Sequence, residues 1–302
     1  MSLRRSLQLL SFVFCTGSSL ALAQENSPVL LRYRFEPGQI VRYSVTLQDD
    51  YRITMGAVTD EPYSHQDSTK YYRVKSVAKD GSAELELAIE GIQIEIFQNG
   101  NKHNFKTGEA VTDATPAVFT ALNDLVGQPH LRLTASPRGE ISNYKPLVAK
   151  DQVPQDPSSL AFDVLLKLPE QAVSVGETWK EEYEVPVFLA GASPTAPLKK
   201  SVRMQHLYTL QSHTDGLATI EIKTKVLSVI EDPEEEMQLL RRTPQGSVVI
   251  DTRRGLMVSK SLSQNNQVSG FEKGASLINF RQRQEEKLLG TATAQSGAAI
   301  RK

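Results

Sequence analysis

Ser76-Val77-Ala78-Lys79 has the letters of an S-x-x-K motif, in which a serine nucleophile is tuned by a lysine one helical turn along. Its surroundings alternate as a strand does, and side chains three apart on a strand point to opposite faces. The pair therefore carries no catalysis. Five histidines, His65, His103, His130, His206 and His213, come next, and none makes a helical metal-ligand pair or an H-E-x-x-H cluster. His206 and His213 are expected at surface or hairpin positions on either side of a strand. The run Glu231-Asp232-Pro233-Glu234-Glu235-Glu236 offers oxygen ligands to calcium but lacks the Asp-x-Asp-x-Asp-Gly loop. With Pro233 at its start and Arg241 and Arg242 downstream, it reads as the first turn of a helix whose charges suit the macrodipole. A carboxylate pair gathered from separate strands would serve glycoside hydrolysis and leave no linear motif. Glu84, Glu86 and Glu90, however, alternate as a solvated strand face. There is no G-x-S-x-G elbow, no phosphate-binding G-x-x-x-x-G-K and no dinucleotide glycine fingerprint. No catalytic, cofactor-binding or metal-binding residue is assigned, no cofactor is implied, and ligand-binding positions stay unassigned.

The compartment narrows the chemistry further. Arg4 and Arg5 precede an apolar stretch ending in Ala21-Leu22-Ala23, so residues 1–23 are expected to be a signal peptide cleaved after Ala23. Cys15 is the only cysteine, and Phe14 before it is too bulky for a lipid-modification site. The mature chain is then cysteine-free, without disulfides, thiolate metal sites or cysteine nucleophiles. The 34 basic and 35 acidic residues leave a net charge of −1 with no basic cluster interleaved with aromatics, which excludes a nucleic-acid partner. No segment after the leader is apolar enough to span a membrane as a helix. Localisation is expected to be extracytoplasmic, periplasmic or secreted.

The elements that would hold any site are mostly strands. Leu31, Tyr33 and Phe35 alternate with arginines up to Pro37-Gly38, and Val41, Tyr43, Val45 and Leu47 alternate beyond it, predicting two strands that pair. Asp80-Gly81 predicts a tight hairpin, and the apolar phase flips across Gly91, predicting a bulge. Thr115-Pro116 opens a helix bearing Val118, Phe119, Leu122 and Leu125 and stopped by Gly127. Phe119 and Leu122 either fill a core or line an apolar cavity, and Trp179, the single tryptophan, reads as a core plug.

DGSAELEL at 80–87 is echoed by DGLATIEI at 215–222, and LTASPRGEI at 133–141 by VIDTRRGLM at 249–257. A glycine before a strand, an Asp-Gly hairpin, a Pro-started helix and an Arg-Gly turn recur in one order. The fold class is therefore expected to be mainly β with a few helices (α+β), in two internal repeats, with curved half-barrel sheets as one form. The expected organisation is a β-rich lobe at 24–150, a linker with a short helix at 151–169, a second lobe at 170–290 and a disordered tail at 291–302. Two repeats sharing one core is the alternative.

LRYRFEPGQIVRYSV at 31–45, LPEQAVSVGETW at 168–179, YTLQSHTDGLATIEI at 208–222 and GSVVIDTRRGLMVSKSL at 246–262 together resemble a family of exported bacterial proteins common in planctomycetes. The resemblance covers nearly the whole mature chain. It implies the architecture and the location, and brings no activity or catalytic residue. More distantly, the pattern is similar to the half-barrels of periplasmic lipoprotein carriers. The expected function is a non-catalytic binding, carrier or scaffold protein of the cell envelope, with an apolar or amphipathic ligand or an envelope protein as partner. The alternative is an envelope polymer hydrolase using dispersed carboxylates.

Overall fold

A computed structural model describes residues 27–109, 117–148, 165–188, 199–272 and 275–293. The expected signal peptide, the Thr115-Pro116 helix start and most of the expected linker lie outside them. The described chain forms, in order, β1 (Gln39–Met55), β2 (Val58–Asp60), β3 (Tyr63–Val77), β4 (Ala83–Gln98), β5 (Asn101–Lys106), α1 (Ala117–Leu125), β6 (Pro129–Ala135) and β7 (Ile141–Pro146). There follow β8 (Thr178–Phe188), β9 (Lys199–Thr214), β10 (Leu217–Val226), α2 (Pro233–Leu239), β11 (Gln245–Asp251), β12 (Leu256–Ser269) and β13 (Ser276–Thr293). The strands make one large antiparallel sheet in the order β7-β6-β4-β3-β1-β13-β12-β11-β10-β9-β8, with β2 on β1 and β5 on β4.

Of three sequence expectations the structure keeps one and corrects two. Leu31, Tyr33 and Phe35 alternate because they enter the core, yet residues 30–36 form no strand and β1 pairs with β3 and β13 instead. Alternating burial is thus produced by an extended segment lying against the sheet rather than within it. The flip at Gly91 is a bulge: Thr69 faces Gly91 and Lys70 faces Ile89, so Glu90 is the extra residue. Residues 291–293 of the expected tail continue β13, with Thr293 opposite Gln39.

The sheet is curled. Leu168 N–H donates to the Arg138 carbonyl at the β6–β7 turn, while the neighbouring Lys167 carbonyl accepts from Trp179 Nε1 on the opposite edge strand, β8. A flat sheet would hold β6 and β8 nine strand spacings apart, about 43 Å. Lys167 Nζ also lies 3.9 Å from Glu140 and 3.7 Å from Glu181, one carboxylate from each side. One apolar cluster accordingly spans both halves, from Tyr72, Leu85 and Leu133 to Tyr208, Ile220 and Ile250, with Leu31, Tyr33 and Leu166 in it.

Candidate functional site

The side chains of β1, β3, β12 and β13 that face the core change character along the strands. Val41 on β1 and Tyr72, opposite it on β3, belong to the large apolar cluster. Further along, the same phase carries Glu286, Lys260 and Lys70. Past Asp49, Gln282 and Gln264 it turns apolar again with Tyr51, Phe280, Ile278 and Val268. The sheet therefore holds a polar belt between two apolar zones.

Glu286 is wholly buried at the centre of the belt. Lys260 Nζ lies 2.6 Å from its Oε1 and Lys70 Nζ 2.8 Å from its Oε2, and Gln284 Nε2 donates to Oε1 at 3.0 Å. Burial alone would raise this carboxyl, but the two ammonium groups outweigh it and hold the group down to about 2. Toward the second apolar zone, Asp49 pairs with Arg241 and accepts from Gln282 Nε2 at 2.7 Å. Gln264 Nε2 donates to Gln282 Oε1 at 2.6 Å, and Gln264 Oε1 accepts from Thr243 N–H at 3.1 Å. The Arg241 guanidinium also stands over the Phe280 ring, 5.7 Å from its centroid. Arg241 lies beyond the last turn of α2 and serves the buried Asp49 carboxylate, not the macrodipole expected of it.

α2 does begin as expected. Asp232 is its N-cap, accepting from Glu234 N–H at 2.8 Å, and Pro233 opens the first turn. Glu235 turns inward onto Lys200 at 2.8 Å, so part of the acidic run is buried structure. α1 seals a separate apolar cluster, where Phe119 stacks on Phe105 with centroids 5.3 Å apart over Ile92 and Ile94. Leu122 is half-buried at its margin. Phe119 therefore fills core. Trp179 stacks on Tyr208 at 5.4 Å and packs against the main cluster.

The histidines stay apart. His65 meets Asp50 at 3.0 Å, His213 meets Thr252 at 3.3 Å, His103 is exposed on β5, and burial lowers His130. His206 was expected at a surface or hairpin position and is instead buried mid-strand on β9, tilted against the rings of Tyr183 and Tyr208. Its Nδ1 lies 2.9 Å from Thr224 Oγ1, and that hydroxyl donates onward to the Pro244 carbonyl. Nδ1 is therefore the protonated nitrogen, and burial pushes the ring down to about 4. No group of three histidine, cysteine or carboxylate side chains among the described residues is placed to hold a metal ion. Ser76 is the penultimate residue of β3 and Lys79 lies in the following turn.

Among the described residues, carboxylates that come near one another share a cation, as Glu140 and Glu181 do on Lys167 and Glu84 and Glu86 on Arg132. Glu86, expected to be solvated, is buried and holds Arg132 at 2.5 Å and Lys75 at 3.5 Å. Burial alone would raise its carboxyl, but these cations depress it. Asp49 and Glu286 face the same side, but four rungs separate them, about 14 Å along the strands against the roughly 5–10 Å of glycosidase pairs. A general acid needs a raised carboxyl, whereas Asp80, Glu86, Glu95, Glu182 and Glu286 all depart downward.

Sequence reasoning missed the belt. One signal was present: Asp49 interrupts the run Val41, Tyr43, Val45, Leu47, Tyr51, Ile53 on a single phase. On β13 both phases are polar between Arg281 and Lys287, so alternation gave no hint that Glu286 faces the core.

No protein-family model and no curated protein matches the chain. Among solved structures, one of lipid–protein interactions in lipovitellin is similar at 11% identity and a TM-score of 0.45, covering 88% of this chain; the chain spans 27% of that one. A DUF1329 family protein from Desulfovibrio piger is similar at 6% identity and a TM-score of 0.14, covering 85% and 87% of the two chains. A putative outer membrane lipoprotein-sorting protein domain from Vibrio parahaemolyticus is similar at 7% identity and a TM-score of 0.13, with the same coverage. No helix among the described residues is long and apolar enough to cross a membrane.

Proposed function

We propose that this is an exported, non-catalytic binding protein of the cell envelope whose core-facing sheet surface takes one amphipathic ligand. The observation that carries the reading is the segregation of that surface. The charged belt of Lys70, Lys260, Arg241, Asp49 and Glu286 adjoins an apolar zone built from Tyr51, Ile53 and Phe280, whose first two members are only partly buried. A molecule with a charged head and an apolar tail matches both. Met55 at the end of β1 and Val58 opposite it on β2, 53% and 67% exposed, extend the apolar surface outward. Paired, acidified carboxylates favour binding over hydrolysis.

Two finer readings belong with this one. Gly38 N–H donates to the Val74 carbonyl and Gly176 N–H to the Leu210 carbonyl, each just before a strand that opens one half of the sheet. That equivalence supports two internal repeats rolled into one half-barrel. The leader at 1–23 supports delivery outside the cytoplasm.

Native mass spectrometry of the mature chain from an exporting host, compared with its denaturing spectrum, tests the function. A discrete lipid-sized mass lost on unfolding is expected, and Ile53→Glu should abolish it while circular dichroism stays unchanged. A clean apo mass after incubation with phosphatidylglycerol and phosphatidylethanolamine vesicles would sink the ligand reading.

A further inference from the structure

Arg281 and Arg283 stand two residues apart on the solvent-facing side of β13, about 7 Å from each other. Register places Arg283 between Gln48 on β1 and Ser263 on β12, and Arg281 between Asp50 and Asn265. Elsewhere on this face, several charges and polar groups are matched across the strands. Arg42 meets Glu90, Thr46 meets Asp67, Arg52 meets Glu61 and Tyr63 donates to Glu95. Asp50, the carboxylate beside Arg281, is engaged by His65.

Among the described residues, the side chains of Gln48, Ser263, Asn265, Arg281 and Arg283 make no hydrogen bond or ion pair within the protein. Neighbouring like charges on one sheet face repel, and neither guanidinium group has an ion-pair partner within the described protein. Two adjoining concavities lie over them, of about 320 and 500 Å³, and share Asp50, Asn265 and Arg281. Together they run across β12, β13, β1 and the start of β3, a span of about 14 Å. Tyr63, stacked on Phe97 and His65 and tied to Glu95, closes the far end as a rigid wall.

We propose that this groove binds an acidic glycan chain on the face opposite the amphipathic-ligand surface. The guanidinium groups take carboxylates of uronic-acid units through forked hydrogen bonds. Gln48, Asn265 and Ser263 donate and accept side by side, which is what neighbouring sugar hydroxyls require. The groove is long enough for an oligomer, and the concavity around Arg281 and Arg283 is lined by Gln48, Asp50, Ser263 and Asn265. A purely electrostatic site would need neither the amides nor the serine.

Binding of the purified mature chain to polygalacturonate, to its fully methyl-esterified form and to polyglutamate separates these requirements. Polygalacturonate is expected to bind at least tenfold tighter than either of the others. The double variant Arg281→Gln, Arg283→Gln should lose tenfold or more, whereas Lys225→Gln, an exposed lysine on β10, should lose nothing. The pair Ser263→Ala, Asn265→Ala should weaken polygalacturonate several-fold and leave polyglutamate alone. Equal binding of polyglutamate, equal binding of the methyl ester, or an arginine double variant that binds like the parent would overturn the proposal.

Discussion

Glu286 is buried charged and His206 buried neutral, and both make the molecule acid-labile by the same linkage. The His206 ring sits at about 4 in the fold against 6.5 in solution, so between those values the unfolded chain binds more protons. Stability is full above 6.5 and falls as pH drops toward 4, by roughly 3 kcal/mol over the whole interval. His206→Gln should remove that dependence, and unfolding free energies from urea titrations at pH 7 and 4.5 read it directly. An unchanged difference between the two pH values would show that other groups set it. Glu286 acts lower. Its carboxyl is held at about 2 rather than 4.5, so its contribution is present above 4.5 and lost as pH falls through 2. Glu286→Gln takes the carboxylate from a buried lysine and is expected to cost about 3–5 kcal/mol at neutral pH. If chemical denaturation shows less than 1 kcal/mol, Lys260 does not depend on this pair.

At the scale of elements, the two Arg-Gly turns show how local sequence and tertiary contact divide the work. Gly139 and Gly255 both hold positive φ, 81° and 64°, which their turn sequences made legible. What no sequence pattern showed is what lies beside them. A Cβ on Gly139 would come within 2.3 Å of the Leu166 carbonyl oxygen, and one on Gly255 within 2.5 Å of Arg34 N. Each turn therefore clasps an extended segment, and Gly255 O accepts from that same Arg34 N–H. Gly139→Ala and Gly255→Ala should each cost well over 1 kcal/mol, more than an exposed positive-φ glycine such as Gly100 with open space around it. Comparing thermal midpoints of the three alanine variants checks the difference. The hairpins, the Gly91 bulge and the capped α2 were readable because each is fixed by residues within a few positions. The segment at 30–36 was not, since its partners lie more than a hundred residues away, and nor was the belt, which is closed by the distant pairs Lys70–Glu286 and Asp49–Arg241.

Across the whole molecule, the decisive contact is between the first long strand and the last. β1 and β13 run together from the Gln39–Thr293 rung to the Met55–Ser276 rung, with one bulge at Arg42, and they sit at the middle of the sheet. Separating the halves exposes both strands as long unpaired edges and cuts an apolar cluster that draws residues from each side. The belt would be split as well, because Lys70 and Asp49 come from one half and Lys260, Glu286 and Arg241 from the other. Fragments 24–148 and 165–302 should therefore show no cooperative thermal transition alone, and an equimolar mixture should regain one. Two fragments that each melt cooperatively would instead mean that either half can bury its own apolar face, and that the shared sheet joins two finished lobes. The same mixture tests the belt at this scale: with Glu286→Gln in the second fragment, reconstitution should weaken at pH 7, because the missing carboxylate is what draws Lys70 across the joint.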